Sequence, residues 1–221
     1  MAVNIIDIEN SSNIGIFFKS NDKYILIPNE LPDDKIRNLK SYLNVEPIIS
    51  TISGTRLNGP LTIMNNSGIL VSKIITEREL RLLREQVDLP VEILPTKYTC
   101  IGNIITVNDK GAYVSDIISK EDIDIIKNTL NVEVEKGTMA SHVQVGSLTV
   151  ATNNGAIIHP LATKEEMLKL SKILKVNVEP TTINHGVPIV ASGIIVNSKN
   201  AIVGKSTSGP ELDILSRVFN V

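Results

Sequence analysis

Apolar residues along this chain switch between two periods, and the switch recurs. Residues 146–152 and 156–162 are short β-rich runs joined through Asn154-Gly155. Asn-Gly between such runs predicts a hairpin, because both residues accept the positive φ of a tight turn. Thr163 with Glu166 at +3 predicts a capping box, hydroxyl and carboxylate satisfying backbone N–H groups where a helix starts. Met167, Leu170 and Leu174 follow that cap at +4, +7 and +11, one face of a helix. The unit is strand, turn, strand, capped helix.

The rest of the chain repeats it. Thr76, Ser119, Thr163 and Ser208 are each followed at +3 by an acid, namely Glu79, Asp122, Glu166 and Glu211. The apolar faces are Leu80, Leu83, Val87; Ile123, Ile126, Leu130; Met167, Leu170, Leu174; and Leu212, Leu215, Phe219. An earlier copy keeps Ile36, Leu39 and Leu43 but has Pro32 at the cap and Lys35 where the acid belongs. The first apolar positions, 36, 80, 123, 167 and 212, lie 44, 43, 44 and 45 residues apart. Turn positions Lys23, Gly68, Gly111, Gly155 and Asn200 keep the beat, as do strand-opening glycines Gly15, Gly59, Gly102, Gly146 and Gly193. Three features in one register predict a five-fold α/β repeat.

After each internal helix a further β-rich run is expected, at residues 47–52, 98–101, 142–145 and 188–191, at or after a recurring Val-Glu pair. The fifth helix runs to Val221 with no strand after it, while residues 3–8 are an unassigned strand at the start. Pairing them would close a disc and remove an open sheet edge. The expected fold is one domain, a five-fold pseudosymmetric α/β propeller with strands toward the axis and helices outside. Its repeats are approximately 10–54, 55–98, 99–142, 143–188 and 189–221, the last closed by residues 3–8.

Composition changes this picture little. Hydrophobic residues make up 42% and charged residues 21%, ordinary for a globular protein. No stretch approaches a membrane span, and no signal-like leader precedes the repeat, so a cytoplasmic monomer is expected. A net charge of -2 and 3% aromatic residues argue against a broad nucleic-acid grip or a base-stacking platform.

The candidate chemistry is sparse. Gly204-Lys205-Ser206-Thr207 imitates a phosphate loop, yet position 199 is Lys where the motif needs glycine, and residues 200–203 read as strand. Cys100 aligns with core-type strand positions, which suits a buried thiol better than a nucleophile. His159 takes a strand slot held elsewhere by Ser72 and Ser115. The three histidines show no metal-binding spacing. Acids in helix first turns complement the helix dipole. No catalytic residue, metal or cofactor is expected.

A resemblance covers the whole chain. Residues 8–17 and 23–27, 52–59, 65–71, 101–109, and 145–147 near 153–160 resemble stretches of translation initiation factor six of archaea and eukaryotes. Residues 182–197, Thr-Ile-Asn-His-Gly-Val-Pro-Ile-Val-Ala-Ser-Gly-Ile-Ile-Val-Asn, are the most specific match, continuing through 206–212 to Val218-Phe219. The sequence is similar to the archaeal form, without the extra tail of eukaryotic members. The resemblance implies the pentein disc. It also implies binding to the large ribosomal subunit, beside the sarcin–ricin loop, through a ribosomal protein and nearby rRNA. Subunit joining would be blocked sterically, with a role in large-subunit maturation besides.

Repeat symmetry puts the loops at the strand-opening glycines on one side of the disc, and the resemblance places the ribosomal face there. The candidate contacts are Gly15, Asn58, Gly59, Asn103, Ser147 and Ser192, with Asn103 matching a family position at that face. The glycines also have a plain backbone reading, φ > 0. Two alternatives stand beside this. Pentein enzymes acting on guanidino groups carry a cysteine near the C-terminus, whereas residues 194–221 hold neither Cys nor His. An unrelated protein-binding scaffold is the other.

Overall fold

The computed structural model describes residues 3–221. Among the described residues there are five three-stranded sheets, one per blade. In the first, Lys19–Ser20 and Tyr24–Ile27 form an antiparallel hairpin, helix Asp33–Leu43 crosses over, and Glu46–Ile49 returns parallel to Tyr24–Ile27. The next three blades repeat this with helices Glu77–Glu85, Lys120–Leu130 and Lys164–Leu174. The fifth has hairpin Ile194–Val196 and Ala201–Gly204 and helix Gly209–Phe219. Its third strand is Val3–Ile6, which pairs in parallel from Val3 with Ala201 to Ile6 with Gly204. The chain's two ends thus share one sheet.

The middle strands Tyr24–Ile27, Ile69–Ser72, Gly111–Ser115, Gly155–Ile158 and Ala201–Gly204 are buried at every residue. Both of their faces are covered, so they read as continuous apolar runs without alternation. Each core lies between two blades. One contains Ile63, Leu70 and Leu94 of the second blade with Ile105, Ile126 and Leu130 of the third. Another joins Ile195 and Ile202 of the fifth to Ile25, Leu39 and Leu43 of the first. No blade encloses its own core, so each depends on its neighbour.

Thr76, Thr163 and Ser208 form reciprocal capping boxes with Glu79, Glu166 and Glu211. At Ser119 only half the box forms. Its hydroxyl accepts from Asp122 N–H at 3.1 Å, but the shorter Asp122 side chain makes no return bond.

Third strands in three blades lie earlier than expected. They are Val91–Leu94, Glu133–Gly137 and Asn177–Pro180, so the strands begin at or beside the Val-Glu pairs, and residues 98–101, 142–145 and 188–191 are turns and short helical segments. Apolar residues in those segments, Ile101, Val145 and Val190, are buried without being strand. Burial of any backbone shape favours β-branched residues, which is what imitates a strand.

The hairpin turns also differ from expectation. Gly68, Gly111 and Gly155 do not take positive φ. A Cβ on each would lie 2.2, 2.1 and 2.1 Å from the carbonyl oxygens of Thr129, Ile173 and Val218 in the next blade's helix, so close approach demands glycine. Turn geometry comes from an asparagine instead. Asn65 Oδ1 accepts from Ser67 and Gly68 N–H, and Asn21, Asn108 and Asn197 do the same. In the first blade the glycine's register falls at Tyr24, one residue after Lys23. The facing helix stops early at Glu85, and the Tyr24 phenol donates to Asp88 beside the Lys23 ammonium.

The same asparagines join the blades. Asn65 Nδ2 donates to Asn108 O at 3.2 Å and Leu130 O at 2.8 Å. Asn108 Nδ2 donates to Thr152 O at 3.0 Å and Leu174 O at 2.9 Å. Thr152 breaks the series, and Asn154 replaces it, donating to Ser198 O and Phe219 O. Asn197 closes the ring onto Leu43 O at 3.0 Å. Leu130, Leu174, Phe219 and Leu43 end their helices, so each amide satisfies a carbonyl with no intrahelical partner.

Two outcomes are expected. Asn108→Ala strips two buried carbonyls and two turn N–H groups of partners, and urea unfolding should show a loss of about 3 kcal/mol. Deleting residues 2–9 opens the fifth sheet. Calorimetry should show a Tm fall of about 10 °C or more, taking each kcal/mol as roughly 2–4 °C for a domain this size; an unchanged Tm would rule out the closure.

Candidate functional site

Short helical turns ring the axis at one end of the disc: Ile14–Ile16, Asn58–Leu61, Ile101–Ile104, residues 145–147 and Val190–Ser192. They meet backbone to backbone. A Cβ on Gly59 would lie 2.0 Å from Gly15 O; one on Gly102, 2.3 Å from Gly59 O; one on Gly146, 2.3 Å from Gly102 O; and one on Gly15, 2.0 Å from Ala191 O. Gly146 and Ala191 N–H groups also donate to Asn103 O at 2.9 Å and Ser147 O at 3.1 Å. The fifth ring member is therefore Ala191. Gly193 lies two residues beyond the register and packs instead against the Asn184 side chain. These ring glycines have no positive φ; contact alone requires them.

Of the six expected contact residues, Gly15, Gly59, Asn103, Ser147 and Ser192 line an axial cavity of about 120 Å³. Asn103 is partly exposed, and its side chain makes no hydrogen bond among the described residues, leaving it free for a partner. The Ser147 and Ser192 hydroxyls donate to Gln144 O and Ile189 O within their own turns. Asn58 is different. It is fully buried, with its amide donating to Ser50 O at 3.0 Å, so its side chain serves the loop rather than the surface.

Residues two before each ring position point outward. Asn13, Leu57, Cys100, Gln144 and Ile189 are all exposed, Leu57 at 43% and Ile189 at 48%. This overturns the core placement of Cys100, which caps the short helix Ile101–Ile104. The signal was present as the ring's own spacing carried back two residues. None of the five is charged, so the rim of the axis is neutral and partly apolar.

The loops entering this face are held by the capping-box glutamates. Four carry the tight primed turns that Asn-Gly had suggested for the hairpins, with positive φ at Glu9 and Asn10, Ser53 and Gly54, Ala140 and Ser141, and Asn184 to Gly186. Glu79 accepts from Ser53 N–H, Gly54 N–H and the Thr51 hydroxyl at 2.7–2.9 Å. Glu211 accepts from His185 N–H, Gly186 N–H and the Thr182 hydroxyl. Where the third blade has Asp122, the loop before it has no positive φ at all. In the first, Lys35 donates to Asp7 O, and Asp7 supplies the carboxylate for Asn10 N–H. Burial pushes Glu79 and Glu211 up, but the hydrogen bonds from backbone and hydroxyls outweigh it and hold both at about 2.

Among the described residues no cluster of His, Cys, Asp or Glu is placed to hold a metal. Among the described residues Cys100 hydrogen-bonds to no histidine. His142 and His159 lie with ring centroids 6.3 Å apart; burial, then the neighbouring His142, lowers the His159 pKa. No helix among the described residues is long and apolar enough to cross a membrane.

The fold is that of the five-bladed pentein disc. It aligns with dimethylarginine dimethylaminohydrolase at a TM-score of 0.52, covering 76% of this chain and 68% of that one at 11% identity, a likeness of fold alone. The family follows from sequence: residues 3–218 match the model of the eIF-6 family, and the chain belongs to it. It is 49% identical to translation initiation factor 6 of Nitrosopumilus maritimus and 46% to that of Cenarchaeum symbiosum, each over 96% of both chains. Identity to the Pyrococcus furiosus factor is 42%, again over 96% of each. Its role is that of a translation factor.

The depressed Glu211 pKa fixes a pH dependence. A carboxyl held at about 2 when folded and near 4.5 when unfolded stabilises fully above pH 4.5 and loses that contribution as pH falls toward 2. The shift corresponds to about 3 kcal/mol at most. Glu211→Gln should cost about 2 kcal/mol at pH 7, and urea unfolding at pH 3 should show a smaller difference from the parent.

Proposed function

We propose that this protein binds the large ribosomal subunit through the face around the glycine ring and sterically prevents joining of the small subunit. Family membership supplies the translation role. The observation that carries the finer reading is the exposed ring Asn13, Leu57, Cys100, Gln144 and Ile189, presented on a closed frame. An uncharged, partly apolar centre suits a protein partner, since interface cores are depleted in charge. A ribosomal protein is therefore the primary contact, with rRNA reached at the periphery. Rigidity matters because a blocking factor works by occupancy: a bound disc withdraws free large subunits by mass action and needs no turnover.

The test is co-sedimentation with purified archaeal large and small subunits, scoring subunit joining on the same gradient. The protein should travel with the large subunit only and reduce joined ribosomes. Ile189→Glu and Asn103→Trp should each weaken that binding about tenfold or more, about 1.4 kcal/mol, with Tm unchanged. Parental affinity in both variants would move the contact elsewhere, and binding to neither subunit would end the ribosomal reading.

A further inference from the structure

One residue of the axial cavity departs from the repeat. The positions two before each turn asparagine or its threonine equivalent are Lys19, Ile63, Thr106, Val150 and Ile195, so a cation stands where the other blades place neutral side chains. Lys19 lines the cavity, and among the described residues its ammonium makes no hydrogen bond or ion pair. Every other residue lining it is uncharged. Burial brings the Lys19 ammonium down to about 8, and nothing offsets it. Thr149 lines the same cavity at 2% exposure, and its Oγ1 has no hydrogen-bond partner. Thr106 adds a second hydroxyl, also buried at 5% exposure.

A half-buried cation with no counter-charge, lining the same cavity as a buried hydroxyl with no partner, is half of an anion site. The volume, about 120 Å³, holds roughly four waters at ~30 Å³ each, or one small anion with water. Polarity along the axis gives the route in. Met64, Val107, Ala151 and Val196 separate the cavity from the hairpin-turn end, where Asp22 and Asp109 sit and would repel an anion. Entry is from the glycine-ring end.

We infer that the axial cavity binds a small inorganic anion, of chloride to phosphate size, with Lys19 as its counter-charge and the Thr149 and Thr106 hydroxyls as donors. The site exists in the free protein and opens on the glycine-ring face, sharing Asn103 and Ile189 with it.

The experiment follows the Lys19 side chain by NMR in the full-length protein carrying isotope-labelled lysine. It is titrated in sodium gluconate, sodium chloride and sodium phosphate at equal ionic strength, with Tm measured in parallel. In gluconate Lys19 should titrate near pH 8. Chloride or phosphate should raise that by about one unit, a tenfold preference of the anion for the charged lysine, and should raise Tm. A response to only one of the two sets the size of the site. Lys19→Met, which matches the apolar residues of the other blades, should fold and lose the anion-dependent Tm rise. Thr149→Val should weaken the anion about tenfold. Equal titration in all three salts, an ordinary lysine pKa in gluconate, or a Tm response retained by Lys19→Met would each overturn the site.

Discussion

One contact recurs around the disc and sets its geometry: a turn asparagine whose oxygen closes its own hairpin and whose amide nitrogen reaches into the next blade. Asn108 shows it in full. Oδ1 takes Lys110 and Gly111 N–H, while Nδ2 gives to Thr152 O and Leu174 O. A single side chain thus couples turn shape, blade spacing and the end of the neighbouring helix. The glycine after it, with no room for a Cβ against the same helix, is the steric half of that coupling. Thr152 tests the necessity: losing the amide there, the chain supplies it from Asn154.

Closure follows from where the apolar surface lies. Since each core is shared by two blades, an open array of five would leave one interface unmade, and the core joining Ile195 and Ile202 to Leu39 and Leu43 is the interface that closure completes. Placing the fifth blade's third strand at the start of the chain ties first and last segments into one sheet. Hence the first described strand, Val3–Ile6, is held by a ladder to Ala201–Gly204 in a place where most domains open first.

Sequence spacing revealed this architecture because helices and caps are local. Apolar positions at +4, +7 and +11 and a carboxylate at +3 need only their own turn of helix to be interpretable. Contacts between copies were harder. Gly68 and Gly15 look like turn glycines in sequence, yet both serve an approach of backbone from another blade. Gly193 entered the ring's register in place of Ala191 because composition favoured a glycine. Cys100 looked buried because the copies align it with core-type strand positions, whereas the segment is a short helical turn that leaves it exposed. What escaped most was contact between copies, such as Gly68 against Thr129 or Gly15 against Ala191, whose direction only the packed disc supplies.

The two ends of the axis are not equivalent, and the difference favours the face proposed for binding. At the turn end, Asp22, Asn66, Asp109 and Asn153 satisfy one another: Asn66 Nδ2 donates to both Asp22 and Asp109, Asn153 Nδ2 to Asp109, and the asparagine oxygens accept Asp22 and Asp109 N–H. A polar ring already spent on itself offers a partner little. At the glycine end the backbone is just as tightly packed, but Leu57, Ile189 and the Asn103 side chain are left to solvent. Its loops are braced from behind by Glu79, Glu166 and Glu211, so a partner meets a surface that does not have to be ordered on contact. Ordering costs avoided in this way appear directly as affinity. The repeat therefore builds a symmetric frame, and departures from symmetry distinguish its two ends, leaving the glycine end the better suited to the proposed partner.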